Sequence, residues 1–408
     1  MINSFSKYLL VTIAFLILTS CKTEPKTTSL KDGFWRGEIT IQKQQIPFVF
    51  EIMNSNDEYK INIHDGDNII ELDEVTVVND SLFFALHIFD IDVKAKIEET
   101  TLNGTYTKNY ADNYILPFKA TYGKKDRIDN PSTSTNFDGT WSFKFEGDDD
   151  NNKKVALFKA DGNLLKGSIL SKTGDYRFLE GTSTDKNFTL YAFDGNHLYI
   201  FKAELENDSI FKGEYWSGKT GNKKFTAIKD ENAVLPDANS LTYLKDDYDG
   251  MEFSFPGLDG KPISLTDEKY QDKVVVLQLF GTWCPNCMDE TKFLTKWYDD
   301  NKNRGVEIIG LAYEVKDDFD YAKTRVQKMK NKYNIGYDFV IAGTSERGNA
   351  AKSLPMLNHV MSFPTAIIID KKGKVRNIHT GFSGPATGDY YLDYVQEFNV
   401  LMDELLAE

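Results

Sequence analysis

The stretch Val274-Val275-Val276-Leu277-Gln278-Leu279-Phe280, followed at once by Gly281-Thr282-Trp283-Cys284-Pro285-Asn286-Cys287, leaves this chain few folds to choose from. A continuous apolar, β-branched run reads as a strand covered on both faces, as in a parallel sheet. Gly281 breaks the run. Beyond the cysteines, Phe293, Leu294, Trp297 and Tyr298 recur at helical spacing, so the cysteines fall where a strand hands over to the first turn of a helix. Unpaired N–H groups and the helix dipole favour negative charge there. A cysteine thiol in such a place titrates at roughly 3.5–7.5 rather than about 8.5. Cys287 lies one turn on, close enough for the two sulfurs to meet, and Pro285 suits the first turn, where its missing N–H costs nothing. One exposed, acidic thiol with a second behind it is a device for disulfide exchange. A structural zinc site would need four ligands; the chain has three cysteines and five histidines, none of the histidines near this pair. A purely structural bridge over so short a loop would stabilise little.

The N-terminus reads as targeting rather than fold. Lys7 precedes the apolar run Tyr8 to Leu18, which is too short to span a bilayer. It ends in Leu18-Thr19-Ser20-Cys21, which resembles the lipobox of bacterial lipoproteins. The resemblance implies a signal peptide over residues 1–20, lipidation of Cys21, and a chain anchored by lipid to a membrane of the bacterial envelope, facing the periplasm. The plainer alternative is a signal peptide cut near Ser20 that leaves Cys21 free. Residues 21–31 are polar and read as a tether. With Cys21 lipidated and Cys284 and Cys287 paired for redox work, no cysteine is left for a structural bridge. A net charge of -14 argues against nucleic acid and anionic membrane surfaces as partners. No second apolar stretch approaches membrane-spanning length.

From Gly33 to about Ile228 short alternating strands follow one another, with Asn, Asp and Gly in the gaps, and 28 Phe and 21 Tyr in the whole chain suit pleated sheets. The region looks duplicated. Asp32-Gly33-Phe34-Trp35 recurs as Asp138-Gly139-Thr140-Trp141, Gly104 as Gly213, and Phe118-Lys119-Ala120 as Phe225-Thr226-Ala227. Two antiparallel β-rich repeats are expected, over 32–123 and 137–228, each of about eight strands forming a barrel or sandwich, or else sharing one larger sheet. The aromatics would then fill the interiors and leave the repeats as a spacer; a client-binding or ligand-binding role is the other reading.

After a linker the pattern changes to alternating strands and helices over 241–408, an α/β unit. Its expected parts are a leading hairpin around Met251–Leu265, the active-site strand and helix, a second buried strand Val306–Ala312 and an amphipathic helix over Asp318–Tyr333. A final helix carries Tyr394, Phe398, Leu401 and Leu405 on one face. Trp283-Cys284-Pro285-Asn286-Cys287, followed by Ser362-Phe363-Pro364-Thr365 leading into Ala366-Ile367-Ile368-Ile369, resembles the thioredoxin fold. Glu290 three residues past the second cysteine, the leading hairpin and the extra strand–helix insert make it similar to the exported TlpA/ResA type.

That resemblance implies a thiol–disulfide oxidoreductase, with Cys284 attacking and Cys287 resolving. It implies a cis Pro364 facing the cysteines, a substrate-binding edge at Trp283, Phe363, Pro364 and Thr365, and Glu290 exchanging a proton with Cys287. Read without it, Glu290 is a solvated carboxylate stabilising the first helical turn, and Pro364 a strand-start proline. No cofactor or metal beyond the Cys284–Cys287 disulfide is implied. The implied partners are protein or peptide disulfide clients and a thiol-reducing electron donor in the membrane. Pro285-Asn286 departs from the dipeptides of thioredoxin and ResA-like proteins, and Gln278 stands where thioredoxin has a buried aspartate. Two rivals are a peroxidase on the same fold and a binding lipoprotein whose repeats carry the main function. Against the peroxidase, Gln278 occupies the place of the proline in Pro-x-x-x-Thr-x-x-Cys, and the cysteine comes too early.

Overall fold

The computed structural model describes residues 30–56, 58–346 and 348–408. The signal peptide, Cys21 and most of the tether lie outside the described residues.

The two repeats form separate sheets of nine strands each, rather than eight strands or one shared sheet. In the first, from Gly33–Ile41 to Ile115–Tyr122, the last strand pairs back on the first with Ile39 opposite Phe118. The ring stays open between the fourth strand, Asn68–Leu72, and the fifth, Val75–Val78. The second, from Gly139–Phe145 to Gly221–Lys229, repeats the order with one change. Its fifth strand, Leu179–Ser183, pairs with its third, Leu164–Ser171, and closes the barrel. The fourth shrinks to Gly174–Asp175 and hangs on the edge of the third.

The duplication survives at atomic level. Trp35 Nε1 donates to Lys31 O at 3.0 Å, and Trp141 Nε1 to Phe137 O at 2.9 Å; both indoles are fully buried. Gly104 and Gly213 are both needed because a neighbouring strand's carbonyl, of Lys94 or Lys202, occupies the place of a Cβ. Trp35, Phe48, Phe50 and Phe118 fill the first barrel, and Trp141, Phe143, Phe211 and Phe225 the second. Large aromatics are packed with Ile, Leu and Val in the first interior and dominate the second, so both barrels are filled by their own side chains.

The C-terminal domain is a five-stranded sheet flanked by helices. Its order is Asp338–Thr344, Val306–Glu314, Val274–Phe280, Thr365–Ile369, Val375–Thr380. The first three run parallel and the last two antiparallel to their neighbours. All of Val274–Phe280 is buried, as its composition requires for a central strand. The short leading hairpin pairs Ser254–Pro256 with Pro262–Ser264. Helices α1 (Pro285–Asn301), α2 (Phe319–Lys332), α3 (Asn349–Ser353) and α4 (Asp389–Ala407) complete the domain. On α4, Met402 takes the buried place expected of Leu401, which is only half-buried. Among the described residues no helix is long and apolar enough to cross a membrane.

The three units pack together. Phe48 of the first barrel meets Phe193 of the second with ring centroids 4.4 Å apart. Tyr321 and Arg325 of α2 both reach Asp90 of the first barrel, at 2.9 and 3.1 Å.

Candidate active site

Cys284 is the N-cap of α1, with Pro285 in the first turn. Its Sγ accepts from Cys287 N at 3.2 Å, which places an N–H of the helix terminus on the sulfur. Cys284 and Cys287 are joined as a disulfide, their Cα atoms 5.2 Å apart. The Phe363–Pro364 peptide is cis, and Phe363 O lies 3.6 Å from Cys284 Sγ. The expectation of an exposed first thiol needs correcting: Cys284 is only 7% exposed, at the bottom of a cleft whose far wall is the second barrel, and Cys287 is fully buried.

Around the sulfurs, Trp283 Nε1 donates to Tyr313 O at 3.0 Å, which locks the indole beside the turn. The Phe363 ring stacks on Tyr313 and meets Trp283 edge-on. Pro364 and Thr365 are buried under this surface; Thr365 Oγ1 donates to Ser362 O at 2.8 Å, so Thr365 braces the proline turn and does not line the cleft.

Glu290 is fully buried behind Cys287 on α1, which excludes the solvated carboxylate. Gln278 Nε2 donates to Glu290 Oε2 at 2.9 Å and approaches Cys287 O at 3.4 Å, while Gln278 Oε1 accepts from Thr291 Oγ1 at 3.1 Å. Burial pushes the Glu290 carboxyl up to about 8, against the hydrogen bonds from Gln278 and Tyr394. At neutral pH it is largely the protonated acid, one helical turn past Cys287. An acid whose pKa is raised on folding holds more protons folded than unfolded. Its contribution to stability therefore falls as pH rises from about 4.5 to about 8, and is constant outside that window. Glu290→Gln is expected to flatten that decline, so that its unfolding midpoint gains on the wild type between pH 5 and pH 8. Parallel midpoint–pH curves would contradict it.

A second buried acid was not foreseen. Glu314 ends the strand Val306–Glu314, is 1% exposed, and accepts from Thr282 N and Oγ1 at 2.8 and 2.9 Å. Burial raises its carboxyl to about 7, partly offset by the Thr282 bonds and Arg325. Its only signal in the sequence is a carboxylate closing an apolar strand.

The rest of the site comes from the second barrel. Asn196 Nδ2 donates to Trp283 O at 2.6 Å. The turn carrying Asn196 is tied internally by Asp194, which accepts from Asn196 N and His197 N, and is braced from the first barrel by Tyr106, Lys108 and Tyr110. Gly195 holds φ +95°, and a side chain there would press on Leu86 and Phe89. On the displaced fourth strand, Asp175 Oδ2 accepts from Asn286 Nδ2 at 3.1 Å and from Gly384 N at 2.8 Å. Beside it Arg177, buried, pairs with Asp289 of α1 at 2.6 Å and with Asp194 at 3.0 Å. Burial opposes charge on Asp194, yet His197, Arg177 and the turn's N–H groups hold its carboxyl well below the usual range. Burial raises the neighbouring Asp175 and takes Asp65, from the first barrel, to about 8.

Residues 249–378 match the AhpC/TSA family. Curated relatives include the thiol-disulfide oxidoreductase ResA of Geobacillus thermodenitrificans, 33% identical over 130 residues, 32% of this chain and 66% of that one. ResA of Bacillus cereus is 34% identical over 124 residues, 30% of this chain and 62% of that one. The chain thus spans just under two thirds of the length of these relatives. Solved structures with similarity include a DsbF homologue from Corynebacterium diphtheriae, 20% identical, TM-score 0.31, covering 41% of this chain and 97% of that one. A thiol-disulfide oxidoreductase from Bacteroides fragilis is 22% identical, TM-score 0.27, covering 36% and 99%. Both repeats lie outside the AhpC/TSA match. Residues 249–378 therefore form a thioredoxin-fold domain of the AhpC/TSA family, of the TlpA/ResA type that the active-site stretch resembles.

Proposed function

We propose that this chain is a thiol–disulfide oxidoreductase that reduces disulfides in client polypeptides. The observation that carries this reading is the Cys284–Cys287 pair itself, with Cys284 Sγ capping α1 and the Phe363 carbonyl beside it. In the reduced protein, the Cys284 thiolate attacks one sulfur of the client disulfide. A mixed disulfide forms and the first client thiolate leaves, taking up a proton. Cys287 then loses its proton and attacks Cys284 Sγ. The internal disulfide forms and the second client thiolate leaves, so two electrons have passed from dithiol to client. Glu290, one helical turn past Cys287 and held by Gln278, is the group placed to take up that proton when its own carboxyl is ionised, a fraction that grows as pH rises toward 8. The reductive direction is the one implied by the TlpA/ResA type that the active-site stretch resembles. A thiol-reducing donor at the membrane restores the dithiol, and lipid on Cys21 holds the protein in the envelope near it.

The test is a trap. Cys287→Ala, reduced and mixed with a disulfide-bonded polypeptide such as insulin, is expected to accumulate a covalent adduct on Cys284 that dithiothreitol releases. The wild type should turn the same substrate over without accumulating it. Peroxide consumption with no adduct would instead favour the peroxidase.

A further inference from the structure

The cleft that holds Cys284 has two walls, and only one belongs to the thioredoxin-fold domain. Trp283, Phe363 and the segment Val360–Ser362 line one side; Tyr176, His197, Tyr199 and Tyr215 of the second barrel line the other. Together they enclose about 660 Å³. That falls in the roughly 300–1,000 Å³ range of sites that bury a small ligand or a short segment, and is far too small for a folded domain.

The barrel wall is built for contact. His197 stacks on Tyr199 at 4.9 Å, and Tyr199 lies 5.5 Å from both Tyr176 and Tyr215. Tyr176, His197 and Tyr199 remain half-buried although they are large rings at the mouth of an otherwise filled barrel. Rigid aromatic rings with polar tips are the side chains that hold peptide at low entropic cost. The wall is also fixed in place. Asn196 ties it to Trp283 O, Ser362 Oγ donates to Thr173 O at 2.9 Å, and Asp175 holds Asn286 and Gly384. The bonds of Thr173 and Asp175 come from the displaced fourth strand of the second repeat, whose counterpart in the first repeat is a full strand.

We propose that the tyrosine face of the second barrel is a client-binding subsite of the dithiol. Its ligand is an extended polypeptide segment with an aromatic or large apolar side chain beside its cystine. The segment lies between Phe363 and Tyr199 with one cystine sulfur in line with Cys284. Folded proteins with recessed disulfides are excluded by the same wall. This rests on the oxidoreductase reading and assigns the repeat a part in substrate choice rather than a spacer's role.

The experiment uses the reduced full chain and two substrates: a short cystine-bridged peptide with tyrosine and leucine flanking one cysteine, and 2-hydroxyethyl disulfide. The readout is the ratio of their kcat/KM values. Tyr176→Ala combined with Tyr199→Ala is expected to lower that ratio about tenfold, mainly through KM for the peptide. The double Tyr→Phe variant should restore most of it. An unchanged ratio, whether both activities persist or both fall together, overturns the subsite, because a merely structural wall would affect both substrates alike. If the wild type reduces neither substrate, the oxidoreductase reading itself fails, which is a different result.

Discussion

Cys284→Ser is expected to lose disulfide reduction by on the order of 10³-fold or more, the scale seen when a covalent nucleophile is removed. Serine fits the N-cap as well as cysteine does, and its oxygen can accept from Cys287 N in place of sulfur. The fold therefore survives, and the loss reports chemistry alone. Cys287→Ser, by contrast, keeps the attacking sulfur and should retain the first, single-turnover step while losing the second. Equal, complete loss in both variants, with neither forming an adduct, would contradict the assigned order of attack and resolution.

Arg177→Ala is expected to lower stability by about 3–5 kcal/mol, the cost of leaving buried charges without their partner. Asp289 and Asp194 would lose their ion pairs, and Asp175 and Asp65 the nearby positive charge. The deficit has a sign in pH. Carboxylates stripped of the guanidinium are relieved by protonation, so the variant should approach the wild type as pH falls from 8 to 5. Asp289 lies on α1, so the exchange rate should fall as well, even under conditions where the variant stays folded. Unfolding midpoints measured at both pH values check this. An unchanged midpoint at pH 8 would show that the cluster does not tie the barrels to the helix.

What the sequence revealed and what it hid follow from how local each signal is. The strand, turn and helix around Cys284 lie in one contiguous stretch, so periodicity alone locates them. The inner face expected for α2, Tyr321, Val326 and Met329, is equally local: Val326 and Met329 are fully buried, while Tyr321 is half-buried and reaches Asp90 of the first barrel. The duplication shows through Trp35 and Trp141 because each indole bonds a carbonyl four residues back. The divergence of the fourth strands does not show, since Gly174–Asp175 is too short for alternation to register. The bond from Asn196 to Trp283 spans 87 residues and depends on a turn held by both barrels. No local pattern marks such an asparagine. The low exposure of Cys284 is hidden for the same reason: Phe363, whose carbonyl lies beside the sulfur, is 79 residues away in sequence.

The central claim is that the end of α1 holds the sulfur of Cys284 as an anion. Thiolate absorbance of the reduced full chain, followed against pH in the wild type and in Cys284→Ser, measures it directly. One thiol is predicted to titrate at or below about 7.5, and that transition should be missing from Cys284→Ser. If both thiols titrate together near the free-cysteine value of about 8.5, the claim is contradicted.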